Sequence, residues 1–173
     1  MKQKLLWIPV LLFSSYSLAQ AYPILKDEHE LKFNIGLFLA TTTVDFSYEY
    51  YLSEDTSLGG TVYFDNEGDD YNGNFGIGPN FRAYFGYNPR SGFFAEAFGL
   101  FYKGEEELPP EAGGPRFEDY SSLALGLGLG SKWVTRSQKF TLEIFGGFGR
   151  NINPEEFQDS FIYRGGLSIG FRF

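Results

Sequence analysis

The sequence contains no cysteine. A secreted chain without it has no disulfide framework, no thiolate metal site and no N-terminal cysteine to carry a lipid anchor. Histidine occurs once, at His29. No second histidine and no cysteine are present to act as a base near neutral pH. After the N-terminal region no apolar run approaches the roughly 18 residues that a membrane-spanning helix needs. Basic residues are the minority, 14 Lys and Arg against 22 Asp and Glu, for a net charge of −8. With no basic run, the chain is a poor partner for nucleic acid.

The first 21 residues read as a secretory signal peptide. Lys2 and Lys4 form a positive start, Leu5 to Phe13 an apolar stretch, and Ala19-Gln20-Ala21 a small-x-small cleavage pattern. Cleavage after Ala21 leaves 152 of the 173 residues and, with two lysines gone, a net charge of −10. A short segment, residues 22–30, then precedes one domain at 31–173.

Aromatic residues and glycine are abundant, at 20% of the chain and 22 residues respectively. They fall into about eight segments of alternating character, the pattern of strands that show one face to lipid and the other to a lumen. The clearest segment is Ser121 to Trp133. Leu123, Leu125, Leu127 and Leu129 share one face, and Ala124, Gly126, Gly128 and Gly130 the other. A helix would scatter those leucines around its circumference. At the C-terminus, Phe161, Tyr163, Leu167, Ile169, Phe171 and Phe173 alternate with Arg164, Gly166, Ser168, Gly170 and Arg172. Further strands are expected at Leu31 to Leu39, Val44 to Leu52, Leu58 to Phe64, Phe75 to Phe85, Phe93 to Lys103 and Phe140 to Phe148. Both faces of Phe93 to Lys103 carry aromatics, and Glu96 points the even positions inward. Pro79 lies within a strand of a sheet without edges, so a bulge is expected there.

The connections alternate between short turns and longer polar loops. The turns lie at Ser53 to Thr56, Gly86 to Gly92 and Thr135 to Lys139; the loops lie at Asp65 to Gly73, Gly104 to Tyr120 and Ile152 to Ser160. An even strand count puts both termini on the turn side, which would be the periplasm. The fold class expected is all-β, an eight-stranded antiparallel up-and-down transmembrane β-barrel.

So arranged, residues 31–173 resemble the small eight-stranded outer-membrane barrels of the OmpA/OmpX kind, including those catalogued as outer-membrane barrel domains of unknown function. The most specific part is Gly165-Gly166-Leu167-Ser168-Ile169-Gly170-Phe171-Arg172-Phe173. Tyr48-Glu49-Tyr50, followed by Ser57-Leu58-Gly59-Gly60, also looks like this group. The resemblance implies that Leu167, Ile169, Phe171 and Phe173 form the assembly signal read by the barrel-assembly machinery during insertion. It implies no catalytic residue, cofactor or metal.

Several inward positions carry charge: Lys32, Asp45, Glu49, Arg82, Glu96, Glu143, Arg164 and Arg172. Buried charges must pair, so a plugging network is expected. The turn near Pro89 sets Arg82 opposite Glu96, and the connection near Thr41 and Thr42 sets Asn34 opposite Glu49. Long Arg and Glu side chains would obstruct the narrow ion path that is the other reading of these residues. Small barrel enzymes acting on lipid A or phospholipid use a His with a Ser and an acid. His29 precedes the first strand, among Asp27, Glu28 and Glu30, and is misplaced for that role.

The long loops hold Asp65, Glu67, Asp69 and Asp70, then Glu105, Glu106, Glu107, Glu111, Glu118 and Asp119, then Glu155, Glu156 and Asp159. Divalent cations could bridge these to acidic lipid head groups, and a protein partner could bind there. Aromatics fit two interfacial girdles. One comprises Tyr50, Phe85, Tyr87, Phe93, Trp133, Phe171 and Phe173; the other Phe64, Phe75, Phe101, Tyr120, Phe161 and Tyr163. A soluble lipocalin-like barrel would need the apolar face inside. The expected partners are outer-membrane lipid and lipopolysaccharide, the assembly machinery, and a protein at the loops. The sequence points to a structural or interaction barrel, including the role of accessory subunit in a larger outer-membrane assembly. A small porin-like ion channel is the alternative, and a lipid-modifying enzyme a more distant one.

Overall fold

The structure, a computed structural model, describes residues 27–65, 72–108, 116–152, 154 and 158–173. The expected signal peptide and the acidic positions Glu67, Asp69, Asp70, Glu111, Glu155 and Glu156 lie outside the described residues. Eight strands and one short helix follow in order: β1 (His29–Asn34), α1 (Ile35–Thr41), β2 (Val44–Tyr51), β3 (Thr56–Phe64), β4 (Phe75–Tyr84), β5 (Gly92–Leu108), β6 (Arg116–Val134), β7 (Phe140–Asn151) and β8 (Phe161–Arg172). Each strand pairs antiparallel with the next, and β8 closes on β1, giving an up-and-down barrel.

The registers fix the barrel's shape. Glu30, Glu49, Gly59, Asn80, Phe98, Gly126, Gly149 and Ile162 follow one another by direct pairing around the wall. On the closing side, however, Glu30 pairs with Arg172, ten residues from Ile162. Eight strands with a shear of ten, spaced ~4.8 Å apart and rising ~3.3 Å per residue, tilt by about 41° around a radius of about 8 Å. A lumen that narrow is filled by side chains.

Alternation sorts the residues as the pattern of the sequence requires. Leu123, Leu125, Leu127 and Leu129 are exposed on the outside, while Ala124 and Gly128 are buried between them. In β5 the even positions face inward: Phe94, Glu96, Phe98, Leu100 and Tyr102 are all buried. The start of β1, the end of β8 and the three short turns gather at one end, and the longer connections at the other.

Four local expectations are overturned. The strand expected over Leu31 to Leu39 stops at Asn34 and gives way to α1. After Asn34 the even positions are Gly36, Phe38 and Ala40, so the polar face disappears; a continuous short apolar run does not distinguish strand from helix. Asn34 caps the helix by accepting from the Leu37 N–H at 3.0 Å, and Thr42 ends it in the left-handed region at φ 58°. Because α1 occupies the connection, Asn34 is level with Asp45 rather than Glu49; Glu30 takes the place opposite Glu49.

Pro79 needs no bulge. Its pairing with Gly60 on β3 is in register. On the β5 side the ladder lapses at Gly78 and Pro79 and resumes with the same offset at Asn80 and Phe98. A proline has no N–H to donate, and one lapse in the ladder accommodates it. Tyr120 turns inward and packs edge-on against Tyr102, with ring centroids 6.1 Å apart, instead of joining the girdle.

Candidate functional site

The lumen holds the concentration of polar chemistry in this fold. Among the described residues, six acidic side chains are buried (Glu30, Asp45, Glu49, Asp65, Glu96, Glu143) and six basic ones (Lys32, Arg82, Arg90, Lys132, Arg164, Arg172). The interior therefore has no net formal charge with which to draw ions of one sign.

Strand alternation delivers ten of these groups from seven strands; Asp65 and Arg90 lie just outside the strands. Glu49 is the hub. Its carboxylate accepts from Lys32 Nζ at 2.8 Å, Lys132 Nζ at 2.8 Å and Arg82 at 3.3 Å. Ser57 and the Tyr84 hydroxyl also donate to it. Glu143 accepts from Arg82 at 2.8 Å and lies 3.4 Å from both lysines. Arg82 meets Glu96 at 2.6 Å, as their cross-strand pairing dictates. Arg164 reaches the other oxygen of Glu96 at 3.5 Å and stacks on Phe98 at 4.7 Å. Arg172 pairs with Glu30 at 3.0 Å. Asp45 binds Asn34 and Thr61 at 3.1 and 2.7 Å.

Seven of the eight inward charges named from the sequence, Lys32, Glu49, Arg82, Glu96, Glu143, Arg164 and Arg172, thus lie in one connected system, while Asp45 stands apart on Asn34 and Thr61. Sequence reasoning missed Glu30, Lys132, Tyr51 and Tyr84 as members. The signal was present: Glu30 is two residues before Lys32, and Lys132 two after Gly130, each on the inward parity. Lys132 Nζ donates to the hydroxyls of Tyr84 at 2.8 Å and Tyr51 at 3.0 Å as well as to carboxylates.

The lumen is closed at both levels. At the turn end Arg90 donates to the carbonyls of Asp27 and Ser53 and lies over the Tyr51 ring, while its own carbonyl accepts from Arg172 at 2.6 Å. Above the ionic layer Tyr63, Phe98, Leu100, Tyr102, Ala124 and Ile162 form an apolar layer. Leu100 and Ala124 are 0% exposed, which decides against a water-filled path at this level.

His29 does not precede the first strand as expected: it is the first residue of β1 and sits on the outside face. Its ring lies against those of Tyr48, Tyr50 and Phe173, and its Nδ1 hydrogen-bonds the Tyr48 hydroxyl. Leu167, Ile169, Phe171 and Phe173 are also exposed on the outside. Phe173 is held to His29 by backbone bonds of 2.9 and 3.2 Å. Among the described residues no group of three or more His, Asp or Glu is arranged to hold a metal ion.

Among the girdle residues, Phe85, Tyr87, Phe93, Trp133 and Phe173 are exposed near the turn end, and Phe64, Phe101, Phe161 and Tyr163 near the other. Between them runs a wall of exposed Leu, Ile and Phe. No helix among the described residues is long and apolar enough to cross a membrane; strands are outside that criterion.

No protein-family description and no curated protein sequence matches the chain. Among solved structures, the N-terminal β-barrel domain of Pseudomonas aeruginosa OprF is similar, with a TM-score of 0.50 over 84% of this chain and 95% of that domain. The identity is 15%, so the likeness is one of architecture. The chain has the fold of an outer-membrane-type eight-stranded β-barrel.

Proposed function

We propose that the protein is a structural or interaction protein of a bacterial outer membrane, with a plugged, non-conducting lumen. The observation that carries this reading is the inversion of polarity across the wall. Leucines 123 to 129 on the odd positions are exposed, whereas Glu49, Glu143 and Lys132 are no more than 1% exposed. A soluble barrel places these the other way round; lipid outside and a paired ionic filling inside satisfy both faces.

On this reading the turn end faces the periplasm and the acidic connections face outward. Outer-membrane lipid and lipopolysaccharide are then its immediate partners, and Leu167, Ile169, Phe171 and Phe173 serve the assembly machinery during insertion. Specific binding, including service as an accessory subunit of a larger assembly, falls to the loops. The plug disfavours the channel reading, because Arg82, Lys132 and Glu49 cross the lumen together. Placement of His29 among aromatic rings on the outside disfavours a lipid-modifying enzyme built on a histidine.

Two measurements test this. The protein should shift in mobility on a detergent gel when heated, as closed membrane barrels do, and should show no steady conductance in planar bilayers. Solubility without detergent would refute the membrane placement. Steady single-channel steps would refute the plug.

A further inference from the structure

At the turn end, the β4–β5 and β6–β7 turns stand beyond the last ladder pair between β5 and β6, Gly92–Lys132. Between the two turns lies a cleft of about 480 Å³. Its walls combine the aromatic residues Tyr87, Phe93 and Trp133 with the polar residues Asn88, Ser91 and Gln138. Tyr87 and Trp133 are 98% and 53% exposed, so the aromatic part of the cleft is open to an occupant. Lys132 also borders it, although its side chain is buried in the ionic layer. The cleft thus leads from the barrel rim to the hub of buried charge.

Asp27, the first described residue, is tied to both turns. Its carbonyl accepts from Arg90 at 2.8 Å, and its carboxylate pairs with Lys139 at 2.8 Å. Arg90 adjoins Ser91 in the chain and Lys139 adjoins Gln138, and both of those neighbours line the cleft. The chain that precedes Asp27 is therefore anchored beside both walls. With the signal removed after Ala21, as the sequence leads one to expect, that chain is Tyr22-Pro23-Ile24-Leu25-Lys26. Five residues reach up to about 17 Å, enough to cross the cleft. An acyl chain could use only the rings of such a site, whereas a peptide uses rings for its side chains and polar groups for its backbone. A tether this short gives an effective concentration on the order of millimolar, so weak contacts suffice.

We infer that the start of the mature chain, residues 22–26, folds back into this cleft as a latch. Ile24 and Leu25 pack against Phe93 and Trp133, and the segment shields Lys132 and the ionic layer from water at the turn end. Removal of the signal peptide thereby supplies the piece that finishes the plug. The inference rests on that cleavage. It does not rest on the membrane placement, because the cleft belongs to the barrel in micelles as in lipid.

The composition makes the test direct. There is no native cysteine, and of the two tryptophans, Trp7 and Trp133, only Trp133 survives cleavage. Pro23→Cys is placed in the full chain, secreted, purified in micelles and labelled with a nitroxide, a short-range quencher of tryptophan. Heat-modifiable migration identifies the closed barrel in every variant. The latch predicts an immobilised label and loss of most of the Trp133 emission relative to a diamagnetic label. Adding Ile24→Ser and Leu25→Ser, both outside the barrel, should free the label and restore the emission. A freely tumbling label without quenching, as an untied chain end gives, would overturn the latch. So would serine substitutions that change neither reading. Equal quenching of unlabelled chain by a labelled chain carrying Trp133→Phe would put a second copy in the cleft and overturn it too. Mass spectrometry gives the first residue of the purified chain; a start beyond Ile24 removes the occupant and with it the inference.

Discussion

Replacing Lys132 by methionine removes one charge from the centre of the lumen while keeping most of the side-chain volume. In the native protein Lys132 Nζ lies 2.8 Å from Glu49, 3.4 Å from Glu30 and 3.4 Å from Glu143, and donates to the hydroxyls of Tyr51 and Tyr84. None of the three carboxylates would be left alone. Glu49 keeps Lys32 at 2.8 Å, Glu143 keeps Arg82 at 2.8 Å, and Glu30 keeps Arg172 at 3.0 Å. The loss should therefore sit near the lower end of the 3–5 kcal/mol expected when a buried pair is broken, about 3 kcal/mol. Adding Glu49→Gln removes the surplus negative charge, so the double variant should recover about 1–2 kcal/mol relative to the sum of the single losses. The assay is urea unfolding in detergent micelles, read by the fraction of gel-shifted protein and by circular dichroism. A Lys132→Met loss below ~1 kcal/mol, or strict additivity with Glu49→Gln, would refute the claim that these groups form one buried, coupled system.

Tyr84→Phe takes away a hydroxyl that donates to Glu49 and accepts from Lys132, and should cost about 1–3 kcal/mol in the same unfolding assay. Gly166→Ala drives a methyl group into the Asn34 carboxamide and should cost about 1–3 kcal/mol, with β-sheet content unchanged by circular dichroism. Gly146→Ala is the contrast, because nothing lies within 4 Å of that position on the outside; stability should stay within ~0.5 kcal/mol of the native value or rise. Phe173→Ala removes the ring against His29 on the closing seam, and should lower the yield of heat-modifiable protein in refolding from urea into micelles.

Where one parity is apolar and the other small or polar, the sequence already contains the strand and its facing. Leu123 to Leu129 opposite Ala124 to Gly130 admits no other regular structure. The pairing of Arg82 with Glu96 was legible for the same reason, since a turn fixes the register of the strands it joins. Residues 35–40 are different. They carry no polar face, and an apolar hexapeptide serves helix and strand alike; tertiary packing of Gly36 on β8 decides between them. The resulting helix shifted the β1–β2 register, which is why Asn34 faces Asp45. Glu30 and Lys132 followed the parity of their neighbours but lay at strand ends, where the edge of a pattern is hardest to place. Tyr120 shares the inward parity of Ser122 and Ala124 but lay just before the strand expected from Ser121; the long β5–β6 pairing extends the strand to include it.

The polarity inversion across the wall is most directly tested by nitroxide labels placed one at a time at Leu123, Leu125, Leu127 and Leu129 of the reconstituted barrel. All four labels should collide freely with oxygen, which concentrates in the bilayer, and poorly with a water-soluble nickel chelate. Ready collision with the chelate along the whole row would mean that this face meets water, contradicting the membrane barrel and the reading of its plugged interior together.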